Sequence, residues 1–227
     1  VLRRNGCDVV FPKGQTCCGA LNTHNGETSS AKEMARPNID AFLTADVDAI
    51  IVNAAGCGAA MKEYGHLLGD DPDYADKARH FSSLVKDAGE FLAQIGLVGK
   101  LGELRMTVTY QDPCHLAHGQ RVRSQPRQLL QAIPGLKLVE MNGSERCCGS
   151  AGIYNITHAE MSQQLLQEKM PAIAATGSEA VVAPNPGCML QLRYGAQKYG
   201  PNVKVYHLMD LLDRAYASGE SSPANEA

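Results

Sequence analysis

The sequence predicts an α/β protein of two homologous halves, each a small, mostly parallel sheet flanked by helices. Two observations carry this reading. First, the chain repeats: Cys17-Cys18-Gly19-Ala20 lies over Cys147-Cys148-Gly149-Ser150 at an offset of 130, and Ala55-Gly56-Cys57 falls against Pro186-Gly187-Cys188 at 131. Second, short runs rich in Val and Ile alternate with longer helical patterns, the order expected of a parallel sheet with crossover helices. A period of this length marks a duplicated unit rather than a solenoid repeat.

In chain order, Asn5–Val10 matches Pro134–Val139, and Val9–Phe11 reads as the first strand. A helix is expected over Ala31–Leu43, a strand at Ala49–Asn53 (against Ala180–Ala183 in the repeat), and a long helix over Tyr74–Ile95. The glycine-rich stretch Gly96–Gly102 is the joint, which sets the halves at 1–103 and 104–217. The second half is expected to hold strands at Thr107–Tyr110, Leu136–Glu140, Ala180–Ala183 and Val203–Tyr206. Its helices are expected at Pro126–Ile133, His158–Ala175, Met189–Tyr199 and Met209–Ala217, with Met161, Leu165, Leu166 and Met170 on one face of the second. Ser218–Ala227 has no apolar run and is expected to be a disordered tail. There is no initiator Met. Counting the 33 positions between Cys114 and Cys147 back from Cys17 leads upstream of Val1, so the first half is expected to be N-terminally truncated, missing a strand and a cysteine.

Composition removes several classes. With 21 Lys and Arg against 24 Asp and Glu, the net charge of −3 leaves no basic footprint for nucleic acid. The longest apolar stretches fall far short of the roughly 20 residues that span a bilayer, and the N-terminus has no signal-peptide core. A cytoplasmic protein, at most peripheral at the inner face of the cell membrane, is expected. No Gly-rich nucleotide loop, Walker motif or Ser/His/Asp arrangement is present.

Eight cysteines remain to be explained: Cys7, Cys17, Cys18, Cys57, Cys114, Cys147, Cys148 and Cys188. Most fall just after strands, where ligand crevices of open α/β sheets lie and helix N-termini favour anions. Cys114, Cys147, Cys148 and Cys188 are therefore expected to converge at one edge of the second half as metal ligands. Soft thiolates select zinc or an iron–sulfur cluster over calcium or magnesium. Spacings of 33, 1 and 40 lack the close pair of structural zinc sites. The adjacent Cys147 and Cys148 crowd one tetrahedral ion but reach different irons of a larger cluster, and four cysteines are the complement of a 4Fe-4S cluster. Zinc, a redox-active thiol site and plain buried cysteines stay open as alternatives. Cys17, Cys18 and Cys57 form an incomplete second site, and Cys7 reads as core.

Around these positions, His115 is balanced between offsetting thiolate charge and packing, with His118 and Arg146 nearby in sequence. Arg121 and Arg123 read as a solvated helix face, His158 as a helix-cap neighbour and Tyr154 as packing. Tyr64, His66, Asp70 and Asp71 read as an exposed helix end.

The segments Asp112-Pro113-Cys114-His115, Cys147-Cys148-Gly149 and Asn185-Pro186-Gly187-Cys188 resemble the cysteine-rich CCG domain. That domain occurs in heterodisulfide reductase, anaerobic glycerol-3-phosphate dehydrogenase and lactate-utilisation proteins. More specific is a resemblance to the C-terminal half of the iron–sulfur subunit of glycolate oxidase (glycolate dehydrogenase). Cys17–Ala20, Asn38–Phe42, Gly56–Ala59, Lys62–Gly65, Tyr74–Arg79, Cys147–Gly152, Tyr154, Thr157-His158 and Lys169-Met170 carry it, from about Val1 to Tyr216. The resemblance implies a non-catalytic electron-transfer subunit. Electrons would pass from a FAD-containing subunit that oxidises glycolate to glyoxylate, through iron–sulfur centres, toward a quinone or other acceptor. The family's N-terminal ferredoxin-like region is not in this sequence, so the chain alone is expected to be inactive. Heterodisulfide reductase ends each of its motifs with Cys-x-x-Cys, where this chain has Ala60 and Gln191; that counts against a five-cysteine non-cubane cluster and disulfide reduction. A related lactate, glycerol-3-phosphate or heterodisulfide oxidoreductase, or a docking module with zinc or no metal, is the alternative.

Overall fold

The computed structural model describes residues 1–221. After a 3-10 turn at Arg3–Asn5, the first half runs α1 (Ala20–His24), α2 (Thr28–Thr44), β1 (Ile50–Val52), α3 (Ala55–Lys62), α4 (Tyr64–Leu67), α5 (Ala75–Leu84), β2 (Val85–Asp87) and α6 (Ala88–Ile95). The second runs β3 (Met106–Tyr110), a π-helical turn (His115–Gly119), α7 (Ser124–Gln131), β4 (Leu136–Leu138), α8 (Tyr154–Thr157), α9 (Ala159–Ala174), β5 (Ala180–Val182), α10 (Pro186–Tyr199), β6 (Lys204–Tyr206) and α11 (Leu208–Ser221). The α/β expectation holds. Both sheets are parallel: β1 pairs with β2, Ile50 against Val85, and the second sheet has the order β4-β3-β5-β6. Its register sets Met106 against Leu136, Val108 against Ala180 and Val181 against Val205.

The duplication is visible residue by residue. The buried face of α2 is Ala31, Ala35, Asn38 and Ile39. That of α9 includes Ser162, Leu166, Lys169 and Met170, each 131 positions later. Helices α3 and α10 also begin 131 apart, at Ala55 and Pro186. The spacing i, i+4, i+7, i+8 is one face of a helix, so both copies bury the same face.

Strand β5 is covered on both sides, as central parallel strands are. Ala180 and Val182 join Val108, Tyr110, Leu129, Leu130 and Leu212 in one core. Val181 and Ala183 join Leu166, Met170, Ile173 and Leu192 in another. Leu92 of α6, with Val1 and Leu2, packs into the first of these, so the end of the first half covers the second half's sheet. Ile39, Ile50, Tyr64, Leu68 and Phe81 form the first half's own core. No described helix is long and apolar enough to cross a membrane.

Several expectations need correction. Val9–Phe11 is irregular and Phe11 is 74% exposed. Its counterpart β4 is held by β3, and among the described residues the first half has no strand in β3's place. The long helix over Tyr74–Ile95 is three elements, because β-branched Val85 enters a ladder with β1 and Asp87 starts a new helix. The Asp87 carboxylate accepts from Gly89 N at 2.8 Å and Glu90 N, and Glu90 accepts from Asp87 N, a capping box. On α9 the buried face is turned: Met161 is exposed, and Ser162 and Lys169 lie inside. Helix α11 continues to Ser221, four residues into the expected tail, because Leu208, Leu211, Leu212, Ala215 and Tyr216 anchor it in the core. The rest of that tail, 222–227, lies outside the described residues.

Candidate metal centre

Strand β3 delivers the first cysteine. Beyond Tyr110 the chain passes Gln111, Asp112 and Pro113 and reaches Cys114, just before the π-helical turn. Arg127 of α7 fixes this exit: it donates to both Asp112 oxygens at 2.8 Å and to Glu140 at 2.8 Å. Gln111 Nε2 donates to the Arg146 carbonyl at 3.1 Å and so ties β3 to the loop of Cys147 and Cys148. On the other side of that loop, Ser162 Oγ donates to Gly149 O at 2.7 Å, and Gln191 Nε2 donates to Ser162 Oγ at 3.0 Å. Gly149 has φ +92°, and a Cβ there would sit 2.4 Å from Ser162 O; only glycine permits so close an approach. Helix α10 supplies Cys188 at its third position, with Asn185 at the N-cap and Pro186 at N1.

The four cysteines expected together are together. Cys114, Cys147, Cys148 and Cys188 line one cleft with Gln111, His115, Ser150 and Asn185. Their sulfurs act on one another in sequence, Cys114 on Cys147, Cys147 on Cys148 and Cys148 on Cys188. The neighbouring Cys114 and Cys148 side chains pull Cys147 well below the ordinary thiol value, and Gly149 N–H donates to its sulfur at 3.3 Å. Cys188 is lowered by the Cys148 thiol, with help from Asn185 Nδ2 at 3.4 Å. Cys114 and Cys148 are pushed up in turn. Lys169 lies behind it with Nζ bonded to Gly143 O at 2.7 Å; burial lowers its pKa to about 8 against the pull of the cysteine sulfurs. Among the described residues, no three His, Cys, Asp or Glu side chains are grouped as the ligands of one metal ion.

The first half repeats the arrangement in smaller form. Cys57 is third in α3, as Cys188 is in α10. The Cys18 thiol donates to Cys57, lowering it to about 7, and Cys17 lies within the same group. Gly19, at φ +73°, is backed by Ala31 as Gly149 is by Ser162. Asn38 accepts from Thr16 N at 2.7 Å and donates to Cys17 O at 3.0 Å. Cys7 is half-buried rather than core, with its sulfur 3.9 Å from Asn5 O. The two groups adjoin. Ala55 N donates to Pro184 O at 3.2 Å, and the rings of His24 and His115 stack with centroids 4.7 Å apart.

The sequence model of the cysteine-rich CCG domain matches residues 1–62 and 108–193, which include all seven of these grouped cysteines. The chain belongs to the CCG cysteine-rich domain family. It is 46% identical over 216 residues to the probable glycolate oxidase iron-sulfur subunit of Bacillus subtilis, covering 93% of this chain and 49% of that protein. It is 31% identical over 214 residues to lactate utilization protein A of the same organism, covering 94% and 89% respectively. To a fumarate reductase (CoM/CoB) subunit of Methanothermobacter marburgensis it is 36% identical over 218 residues, or 96% and 42%. The chain thus spans about half the length of the first of these relatives and nearly all of the second.

Within the CCG frame, some residues differ from their sequence reading. Tyr64 is 1% exposed, not a solvated helix end, and its hydroxyl donates to Cys18 O at 2.8 Å. Asp70 and Asp71 pair with Lys32 and Arg36, while His66 is exposed. Arg121 and Arg123 lie between the π-helical turn and α7 rather than on a helix face, with Arg123 Nη2 3.0 Å from His118 Nδ1. Tyr154 and His158 stack on each other and line no part of the CCG cleft. His115 is half-buried beside Cys114, its pKa lowered by burial and by His24. Of the two departures from Cys-x-x-Cys, Gln191 braces the second loop, and Ala60 faces a cavity of about 250 Å³ between α3 and His115.

Proposed function

We propose that this chain is an iron–sulfur electron-transfer subunit of a glycolate oxidase type of complex, with one 4Fe-4S cluster on Cys114, Cys147, Cys148 and Cys188. The observation that carries it is the convergence of four sulfurs from three separate loops on one cleft beyond the ends of β3 and β5. The donor set fits. Four thiolates are soft ligands, and adjacent Cys147 and Cys148 engage Cys114 on one side and Cys188 on the other, as ligands of different irons do. Bound there, the cluster supplies reversible one-electron storage. The chain's own residues hold its ligands: Gly149 N–H and Asn185 donate to sulfur, Arg127 fixes the Cys114 exit, and Ser162 and Gln191 fix the Cys147 loop. Cys17, Cys18 and Cys57 are the incomplete counterpart. No side chain here performs the oxidation; a FAD-containing partner oxidises glycolate to glyoxylate, and electrons leave toward a quinone or other acceptor. We place the protein in the cytoplasm, at most peripheral to the membrane, with the halves dividing near residue 103.

A second reading has one observation in its favour. The chain spans 89% of lactate utilization protein A, which supports a lactate-oxidising complex with the same cysteine centre.

The test is anaerobic expression followed by iron and acid-labile sulfide analysis and a visible spectrum. Broad absorption bleached by dithionite, lost in Cys147→Ser and Cys188→Ser but kept in Cys7→Ser, is the expected result. A colourless protein carrying zinc refutes it in favour of a scaffold. Reduction of the centre by glycolate or by lactate, in the presence of the flavoprotein, separates the two oxidoreductase readings.

A further inference from the structure

Lys169 carries a charge that its structural task does not need. It is 3% exposed, and Nζ donates to Gly143 O at 2.7 Å and Ser144 O at 3.5 Å, tying α9 to the loop that leads to Cys147. The first half ties the equivalent loop without a cation. At the matching position on α2, Asn38 uses a neutral amide to accept from Thr16 N and to donate to Cys17 O and Met34 O. The duplication therefore contains its own control: tethering a Cys-Cys-Gly loop to this helix face takes an amide, not an ammonium.

A buried ammonium is strongly desolvated and is retained only against compensating negative charge. Among the described residues no carboxylate forms an ion pair with Lys169. Asp112 is held by Arg127, and Glu145 is exposed. The negative charge available to it is that of the Cys148 and Cys147 sulfurs, which are thiolates once they ligate a cluster; Cys148 packs in one core with Leu166 and Met170, on the same buried face of α9 as Lys169. We propose that Lys169 is the buried countercharge of the Cys114–Cys147–Cys148–Cys188 centre and raises its reduction potential. This rests on the iron–sulfur reading above. A fixed positive charge in a low-dielectric interior favours the reduced form, which carries one more negative charge. The first half's cysteine group, with Asn38 in this position, receives no such bias.

The experiment is a mediated redox titration of reconstituted protein followed by visible and electron paramagnetic resonance spectra, with iron content measured in parallel. Lys169→Gln keeps a donor and removes the charge; Lys169→Met removes both at similar length; Lys169→Arg keeps the charge. Both neutral variants are expected to show at least a tenfold lower ratio of reduced to oxidised centre at a fixed ambient potential, equal to about 59 mV for a one-electron couple. Lys169→Arg is expected to stay near wild type. Neutral variants that load iron normally and titrate at the wild-type potential overturn the proposal. So does failure of both to fold as metal-free protein, which makes Lys169 a structural tether. Absence of iron from the wild-type protein is a different outcome, because it removes the cluster itself and with it the function proposed above.

Discussion

Asn185 Oδ1 accepts the backbone N–H of Gly56 at 3.1 Å, joining the N-terminus of α10 to that of α3 across the two halves. The same side chain donates through Nδ2 to Cys188 Sγ at 3.4 Å. One amide therefore couples the seam between the halves to a sulfur of the candidate centre. Asn185→Asp keeps the acceptor for Gly56 but sets a carboxylate beside Cys188. It is expected to hold the stability of the metal-free chain within about 1 kcal/mol while reducing iron loading. Asn185→Ala loses both bonds and is expected to cost about 1–3 kcal/mol. Urea unfolding of the metal-free proteins and iron analysis after reconstitution check the pair; equal loading in Asn185→Asp and wild type refutes the role at Cys188.

Gly149 and Gly26 both have positive φ, +92° and +78°, but their surroundings differ. A Cβ at Gly26 meets nothing within 4 Å, whereas one at Gly149 meets Ser162 O at 2.4 Å. Gly26→Ala is expected to cost about 1 kcal/mol from backbone conformation alone. Gly149→Ala must also push the Cys147–Cys148 loop away from α9, and is expected to cost clearly more and to abolish iron binding. Thermal unfolding of the two variants side by side is the measurement; equal losses remove the close-approach argument.

Tyr64→Phe deletes the hydroxyl that caps Cys18 O, at a site where the ring stacks on Phe81 with centroids 5.2 Å apart. The expected loss is about 1–2 kcal/mol, since a part-buried carbonyl is left without its donor. Urea unfolding of the metal-free variant measures it, and an unchanged midpoint rules the contact out as a support.

Tyr64 also shows where the sequence stops being legible. The cysteine groups can be found because two copies of Cys-Cys-Gly and two strand-end cysteines align, and the repeat itself predicts their convergence. Tyr64 sits among Glu63, Gly65 and His66, and nothing in that local pattern says that α4 turns its ring inward against Phe81 and Cys18. The match of Asn38 to Lys169 lies within the same 131-residue spacing, but a Lys in an amphipathic helix reads as solvent-facing until tertiary contacts place it. Strand β2 is hidden because Val85-Lys86-Asp87 continues the helical period of α5. The signal against that period is Asp87 followed by Glu90, a capping box that marks a helix start.

Asp87, at the N-cap of α6, is 3% exposed. Burial raises its carboxyl from 3.8 to about 6, only partly opposed by the Gly89 and Glu90 N–H bonds. The folded chain therefore binds a proton more tightly here than the unfolded chain does. That contribution to stability is fully present below pH 3.8 and is lost as pH rises through about 6. Between those limits it amounts to about 3 kcal/mol. Asp112 runs the other way: burial pushes it up, but the hydrogen bonds from Arg127 outweigh that and hold it below the usual carboxylate value, so its contribution is lost on acidification. The overall pH profile mixes both signs, and the informative quantity is a difference. Asp87→Asn keeps a side-chain oxygen for the cap and removes the titrating group. Relative to wild type, the metal-free Asn variant is expected to be more stable at about pH 7 than at about pH 4.5, with the change spread over the interval between the unfolded value of 3.8 and the folded value of about 6. Urea midpoints of both proteins across roughly pH 4 to 7.5 give the test, and a pH-independent difference between them shows that Asp87 titrates normally.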